Sequence, residues 1–242
     1  MRREIHHWFS PRLHKNMEIA VYGDYGFALL LLPTAAADFL EYERFQMLEV
    51  LRPQIEAGHV KVFSINSINS EAWLNNQMHP RHKSIRHQQF NAYVENEVVP
   101  FIRMHTSHET PIITTGASLG ALHAANLYFR RPDLIQGTIA MSGVYDLTTY
   151  TKGHFDDDVY FNSPAHYLPN LDGHLLDMLR RANHIHILTG SGDYEDPDAS
   201  RRLSGILHAK GIPHELDIWG WDMKHDWPTW RSMLPHYVGT RF

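Results

Sequence analysis

The stretch Ile112-Ile113-Thr114-Thr115-Gly116-Ala117-Ser118-Leu119-Gly120-Ala121 changes character in mid-course. Its first four residues are β-branched, which suits a short buried strand entered at Pro111. From Leu119 to Phe129 the apolar residues Leu122, Ala125 and Phe129 recur at helical spacing, and Pro132 stops the pattern. Between the two lies Gly-x-Ser-x-Gly. A serine squeezed between a strand and a helix, with small residues on both sides, sits on a tight turn that presents its hydroxyl at the strand's carboxyl end. By composition alone the five-residue pattern turns up in about one chain in ten, so its strand-turn-helix setting carries the inference.

Outward from this turn, strands and helices alternate along the whole chain. Glu4–Phe9 and Met17–Tyr22 flank a turn at Pro11 and predict an antiparallel hairpin at a sheet edge. The continuous apolar run 27–32 fits a strand covered on both faces. Next come a helix over 39–51, a strand over 60–65, a polar connection to Ser84, and a long helix over 85–104 with Phe90, Val94, Val98 and Phe101 inward. Beyond the central turn follow a strand at 135–141, a strand at 184–189, a helix at 199–210, a strand at 214–219 and a closing helix at 227–237. This order predicts a single α/β domain over 1–242, built on a mostly parallel central sheet with an antiparallel N-terminal edge and helices on both faces. Residues 142–171, rich in Asp, Tyr, Asn, Gly and Pro, show no clean period and read as a lid or pocket-wall insertion.

Composition narrows the chemistry. The 22 Lys and Arg against 27 Asp and Glu leave a net charge of −5, which argues against a nucleic-acid partner. No run is apolar enough for a signal-peptide core or a membrane span, so a cytoplasmic protein off the membrane is expected. The absence of cysteine removes thiolate metal sites, disulfides and a cysteine nucleophile. The 19 histidines include His79-x-x-His82, His105-x-x-His108 and His184-x-His186, but none forms His-Glu-x-x-His, and no metal or other cofactor is expected. A homo-oligomer is compatible with all of this.

A serine hydroxyl attacks carbonyl carbon only when a base takes its proton and a carboxylate orients that base. In a sheet of this kind the chain order is serine, acid, histidine. The loop Gly190-Ser191-Gly192-Asp193-Tyr194-Glu195-Asp196 follows a predicted strand and offers three carboxylates. Asp193 is the first choice of acid and Glu195 the alternative, while Asp196 and Asp198 also suit the N-cap of the next helix. His225 is the only histidine between the last predicted strand and the closing helix, which selects it as general base. An oxyanion would be met by the backbone N–H of Leu119 and one from the loop 33–37, at Ala35.

These motifs resemble the putative-esterase branch of the α/β-hydrolases, which includes feruloyl esterases, S-formylglutathione hydrolases and the mycolyltransferase group. The resemblance rests on Gly116–Ala121, on Ser142-Gly143-Val144-Tyr145-Asp146, on the acidic loop after Thr189, and on His225-Asp226-Trp227 ahead of Trp230. The segment Ser67-Ile68-Asn69-Ser70-Glu71-Ala72-Trp73 is similar to a Ser-x-x-Ser-Glu-x-Trp stretch of uncharacterised bacterial members, for which no substrate is implied. The chain departs from many relatives in having no glycine at 33–37. The resemblance implies the α/β-hydrolase fold and a serine esterase acting on a small-molecule carboxylic ester. An acyltransferase using the same residues, or a non-catalytic ligand-binding protein on the same scaffold, are the alternatives. Trp73, Tyr145 and Trp221 are candidates for the substrate pocket and equally for caps on the core.

Overall fold

A computed structural model describes residues 1–242. Eight strands form one sheet in the order β1-β2-β4-β3-β5-β6-β7-β8: β1 (Arg3–Ser10), β2 (Lys15–Tyr22), β3 (Phe27–Leu32), β4 (Val60–Ile65), β5 (Ile112–Ala117), β6 (Gly137–Met141), β7 (His184–Thr189) and β8 (Glu215–Ile218). The pairs β1–β2 and β2–β4 are antiparallel, and β3 to β8 run parallel. The expected antiparallel edge and parallel centre are both present.

The apolar run of β3 shows why the sheet is central. Side chains of a strand alternate between faces. Ala28, Leu30 and Leu32 enter one core, whereas Leu29 and Leu31 enter the other. Burial on both faces is what lets the strand be apolar throughout.

Helices α1 (Glu41–Arg44), α2 (Met47–Glu56), α3 (Pro80–Tyr93), α4 (Val99–His105), α5 (Leu119–Arg130), α6 (Asp157–Tyr160), α7 (Pro164–Tyr167), α8 (Gly173–Leu179), α9 (Pro197–Ala209) and α10 (Trp227–Arg241) complete the chain. The smaller core lies beneath α2 and α10, and the larger beneath α3, α4, α5 and α9.

Three helical expectations change in detail. The helix expected over 39–51 is broken into α1 and α2 at Gln46, whose φ of +62° cannot continue a right-handed helix. The break lets the Tyr42 hydroxyl donate to the Leu32 carbonyl at 2.9 Å while Phe45 stacks on Trp227. The long helix over 85–104 is interrupted by a π-turn at Val94–Val98, which keeps Val94, Val98 and Phe101 inward. Helix α8 has no counterpart in the predicted pattern, yet it buries Leu176 and Leu179.

The 142–171 segment is a chain of short turns and one-turn helices rather than a periodic element. Asn162 ties it down: its Oδ1 accepts from Asn91 of α3 at 2.6 Å and from Asn126 of α5 at 2.8 Å. The Tyr167 hydroxyl adds a bond to Asn126 at 3.1 Å.

Candidate active site

Strand register brings the candidate residues to one edge. Ala117, Met141 and Leu188 lie side by side at the ends of β5, β6 and β7, and Thr189 pairs with Ile218 of β8. The residues just beyond these positions are therefore neighbours across the carboxyl end of the parallel sheet, where ligands of α/β folds bind.

Ser118 occupies the turn between β5 and α5 with φ +58° and ψ −124°. A non-glycine residue at positive φ costs about 1–3 kcal/mol and persists only where its surroundings hold it. Its N–H donates to the Met141 carbonyl at 3.0 Å, stapling the turn to β6. The flanking glycines explain themselves by contact. A Cβ on Gly116 would lie 2.4 Å from the Gly120 backbone, and one on Gly120 would lie 2.5 Å from the Leu32 carbonyl oxygen and 2.6 Å from that of Pro33. The turn thus presses directly against the end of β3.

The same turn also holds the loop after β3. The Gly120 N–H donates to the Thr34 carbonyl at 3.2 Å, and Thr34 sends its own N–H and hydroxyl to Glu41 at 2.8 and 2.6 Å. Neither the Leu119 N–H nor the Ala35 N–H donates to a backbone carbonyl. Leu119 is buried and Ala35 is exposed.

His225 lies in the loop between β8 and α10, just ahead of Asp226, whose side chain caps that helix. Its Nδ1 is 3.3 Å from Glu195 Oε2, and its ring meets that of Trp230 edge-on at 5.2 Å. The Glu195 side chain is wholly shielded from solvent. Its Oε1 accepts from the Ser142 hydroxyl at 2.6 Å and the Gly190 N–H at 3.3 Å, and its Oε2 also accepts from the Thr189 hydroxyl at 3.2 Å. Burial alone would raise the pKa of this carboxyl, but the bonds to His225 and Ser142 outweigh it and hold the group below its ordinary value. Glu195 is a buried carboxylate that remains charged because it is well bonded.

Asp193, the first choice of acid, is not the carboxylate that lies against His225. Its carboxylate is largely exposed and pairs with Lys224 Nζ at 2.7 Å, while its backbone carbonyl accepts the His225 N–H at 3.0 Å. The two-residue difference turns the Asp193 side chain outward and the Glu195 side chain inward, and only the longer glutamate arm meets the imidazole. Asp196 caps α9 through the Ala199 N–H at 3.2 Å.

The loops bearing Glu195 and His225 are laced together. Ser191 N–H donates to the Gly220 carbonyl, Gly192 N–H to that of Met223, and the Ser191 hydroxyl to that of Trp219.

Of the three candidate pocket aromatics, Trp73 and Tyr145 are core residues at 2% and 3% exposure. Trp73 also commits its indole N–H to His87 Nδ1 at 3.1 Å. Their surfaces are used in packing, as the core-cap reading expects. Trp221 is 83% exposed in the His225 loop.

Sequence reasoning gave no role to Ser142, although it sits in a quoted motif. Ser142 has φ +50°, donates to Glu195, and accepts the Trp230 indole N–H at 3.0 Å. Nothing local marks a serine for such a post.

The sequence-adjacent histidine pairs do not assemble a three-residue ligand set. A grouping of potential ligand atoms within 4.8 Å of one another comes instead from Glu4, His6 and His105 at the β1 edge, where Glu4 is already engaged by Arg2 and His6. A cavity of about 660 Å³ lies between α9 and the 142–171 segment, and neither Ser118, Glu195 nor His225 lines it. No helix is long and apolar enough to cross a membrane.

Comparison with known proteins agrees with the fold. Residues 53–240 match the family model described as "Putative esterase". A ferulic acid esterase structure superposes with a TM-score of 0.76 at 18% identity, covering 100% of this chain and 99% of that one. The ferulic acid esterase of Anaeromyces mucronatus, solved in complex with ferulic acid, gives 0.73 at 14% identity, covering 100% and 90%. An S-formylglutathione hydrolase from Agrobacterium tumefaciens gives 0.70 at 13% identity, covering 98% and 93%. At these identities the likeness establishes the α/β-hydrolase fold. No curated protein matches the sequence.

Proposed function

The chain belongs to the putative esterase family, and from that premise we propose that it is a serine hydrolase that cleaves a small carboxylic ester through an acyl-enzyme on Ser118. His225 is the general base and Glu195 the acid that orients it.

The observation that carries this reading is the contact between His225 Nδ1 and the shielded Glu195 carboxylate. A carboxylate at Nδ1 keeps the proton on that nitrogen and leaves Nε2 as the basic site. His225 Nε2 then takes the Ser118 proton as Oγ attacks the acyl carbon. The oxyanion that forms is met by the Leu119 and Ala35 N–H groups, both uncommitted to backbone carbonyls. The imidazolium returns its proton to the departing alcohol, and water repeats the sequence to release the acid. Glu195, held charged, stabilises the imidazolium in both halves.

The test is direct. Purified protein is expected to turn over p-nitrophenyl acetate and to gain a fluorophosphonate adduct on Ser118 by mass spectrometry, and Ser118→Ala is expected to lose both. An intact, folded protein that does neither overturns the reading.

A further inference from the structure

The loop after β3 poses a problem that its own sequence does not solve. Pro33-Thr34-Ala35-Ala36-Ala37 has no glycine to set its turn and only short side chains beyond Thr34 to pack it, yet an oxyanion donor must be held to within a few tenths of an ångström. We propose that Ser67 and Asn69, from the segment that follows the neighbouring strand β4, are positioning residues that clamp the Ala35 carbonyl and so keep the Ala35 N–H aimed at the oxyanion. The inference rests on the esterase reading above and assigns a task to the Ser67–Trp73 segment.

The Ala35 carbonyl accepts two hydrogen bonds, from Ser67 Oγ at 2.8 Å and from Asn69 Nδ2 at 3.0 Å. Ser67 Oγ also accepts the Asn69 N–H at 3.0 Å, and the Ser67 N–H donates to the Ala37 carbonyl at 3.1 Å. On the other side of the residue, the Thr34 carbonyl is held by the Gly120 N–H. Both peptide planes that meet at Ala35 are therefore fixed from outside the loop. Rotation about its φ and ψ would break at least one of these bonds, so the direction of the N–H is set without glycine.

Asn69 is itself fixed from behind. It is fully buried, and its Oδ1 is 3.0 Å from His123 Nε2. Because Asn69 Nδ2 donates to Ala35, Oδ1 is the acceptor, and His123 must carry its proton on Nε2. Indole N–H can only donate, so the Trp73 contact makes His87 Nδ1 an acceptor and puts the His87 proton on Nε2. The atoms left over are His123 Nδ1, an acceptor, and His87 Nε2, a donor; both are buried without a partner, on rings 4.5 Å apart. This tautomer pair is complementary. Burial holds both rings neutral, with the His123 pKa lowered to about 4 and that of His87 well below its ordinary value. A protonated His123 would carry two N–H donors where its surroundings supply one acceptor, Asn69 Oδ1. Asn69 Oδ1 is thus backed by a buried, neutral His123 that donates to it through Nε2.

The test compares Ser67→Ala, Asn69→Ala and Ser67→Thr with wild type on p-nitrophenyl acetate, together with the affinity of an arylboronic acid that forms a tetrahedral adduct on Ser118. Ser67→Ala is expected to lower kcat about 3- to 10-fold and Asn69→Ala about 10- to 100-fold, below the cost of deleting an oxyanion donor outright. KM should stay within about twofold, boronate affinity should fall by the same factor as kcat/KM, and Ser67→Thr should restore both. A merely structural role would not link turnover to boronate affinity in this way. Should Asn69→Ala fail to fold, the Ser67 pair carries the comparison alone. Folded variants that keep kcat and boronate affinity within twofold of an active wild type overturn this inference and leave the esterase reading standing. A wild type inert to both p-nitrophenyl acetate and fluorophosphonate overturns the two together.

Discussion

The Ser142 hydroxyl stands 2.6 Å from Glu195 Oε1, and through it the indole of Trp230 is connected to the carboxylate that faces His225. Trp230 also lies edge-on to the His225 ring. Glu195 and His225 therefore share a buttress that starts in α10, one turn beyond His225 itself.

Replacing Glu195 by Gln is expected to lower kcat by about three to four orders of magnitude, because an amide cannot hold the imidazole in the working tautomer or stabilise its cation. Asp193→Asn should stay within about twofold, since it breaks only an exposed pair with Lys224. Steady-state kinetics of the two variants side by side decides which carboxylate serves the histidine. The reverse ranking would restore Asp193.

Ser142→Ala removes a donor from Glu195 and leaves the buried Trp230 N–H without its acceptor. A cost of about 1–3 kcal/mol in unfolding free energy is expected. Urea denaturation measures that, and a several-fold fall in kcat should accompany it.

Gly120→Ala would drive a methyl group into the Leu32 and Pro33 carbonyl oxygens, which are backbone and cannot rotate away. Overpacking of this kind costs about 1–3 kcal/mol or more. It also prises Gly120 from Thr34, so activity is expected to fall further than the melting temperature alone would suggest. Parallel thermal melts and ester assays test the point; a variant with normal turnover would show the contact to be unimportant.

His123 gives stability a pH dependence whose sign follows from its burial. In the folded protein its pKa is lowered to about 4, whereas an unfolded histidine titrates near 6.5. Between those values the unfolded chain binds the extra proton, so stability is full above about pH 6.5 and drains as pH falls toward 4. The whole window is worth about 3 kcal/mol for this group, and about 2 kcal/mol of it lies between pH 7 and pH 5. His87 acts in the same direction. Urea titrations at the two pH values should show the loss, and His123→Gln, which keeps a donor for Asn69 and removes the titration, should reduce it.

The alternation of strands and helices was legible because each buried strand carries its own signature. The run at β3, the β-branched entry to Ser118 and the helical spacing after it all report local burial on two faces. His225 could be found because topology leaves only one histidine between the last strand and the last helix. Glu195 could not be separated from Asp193 in the same way: the choice depends on which side chain the turn sends inward, and that is set by contacts with the 219–225 loop, roughly thirty residues away. Ser142, Ser67 and Asn69 were hidden for a related reason. Serine and asparagine are ordinary loop residues, and only the arrival of a carboxylate or a carbonyl from another part of the chain gives them a task. For Trp73 and Tyr145 packing and binding stayed equal alternatives in sequence, because a large aromatic near a strand end looks alike in either role.

The bonds that lace residues 191–193 to 219–225 make those two segments a single exchangeable part. A chimera that imports either loop alone from a relative would tear the pair apart at Gly192–Met223 and Asp193–His225. Anyone reshaping the specificity of this scaffold should graft them as a unit, and should expect changes in one to have become tolerable only alongside changes in the other.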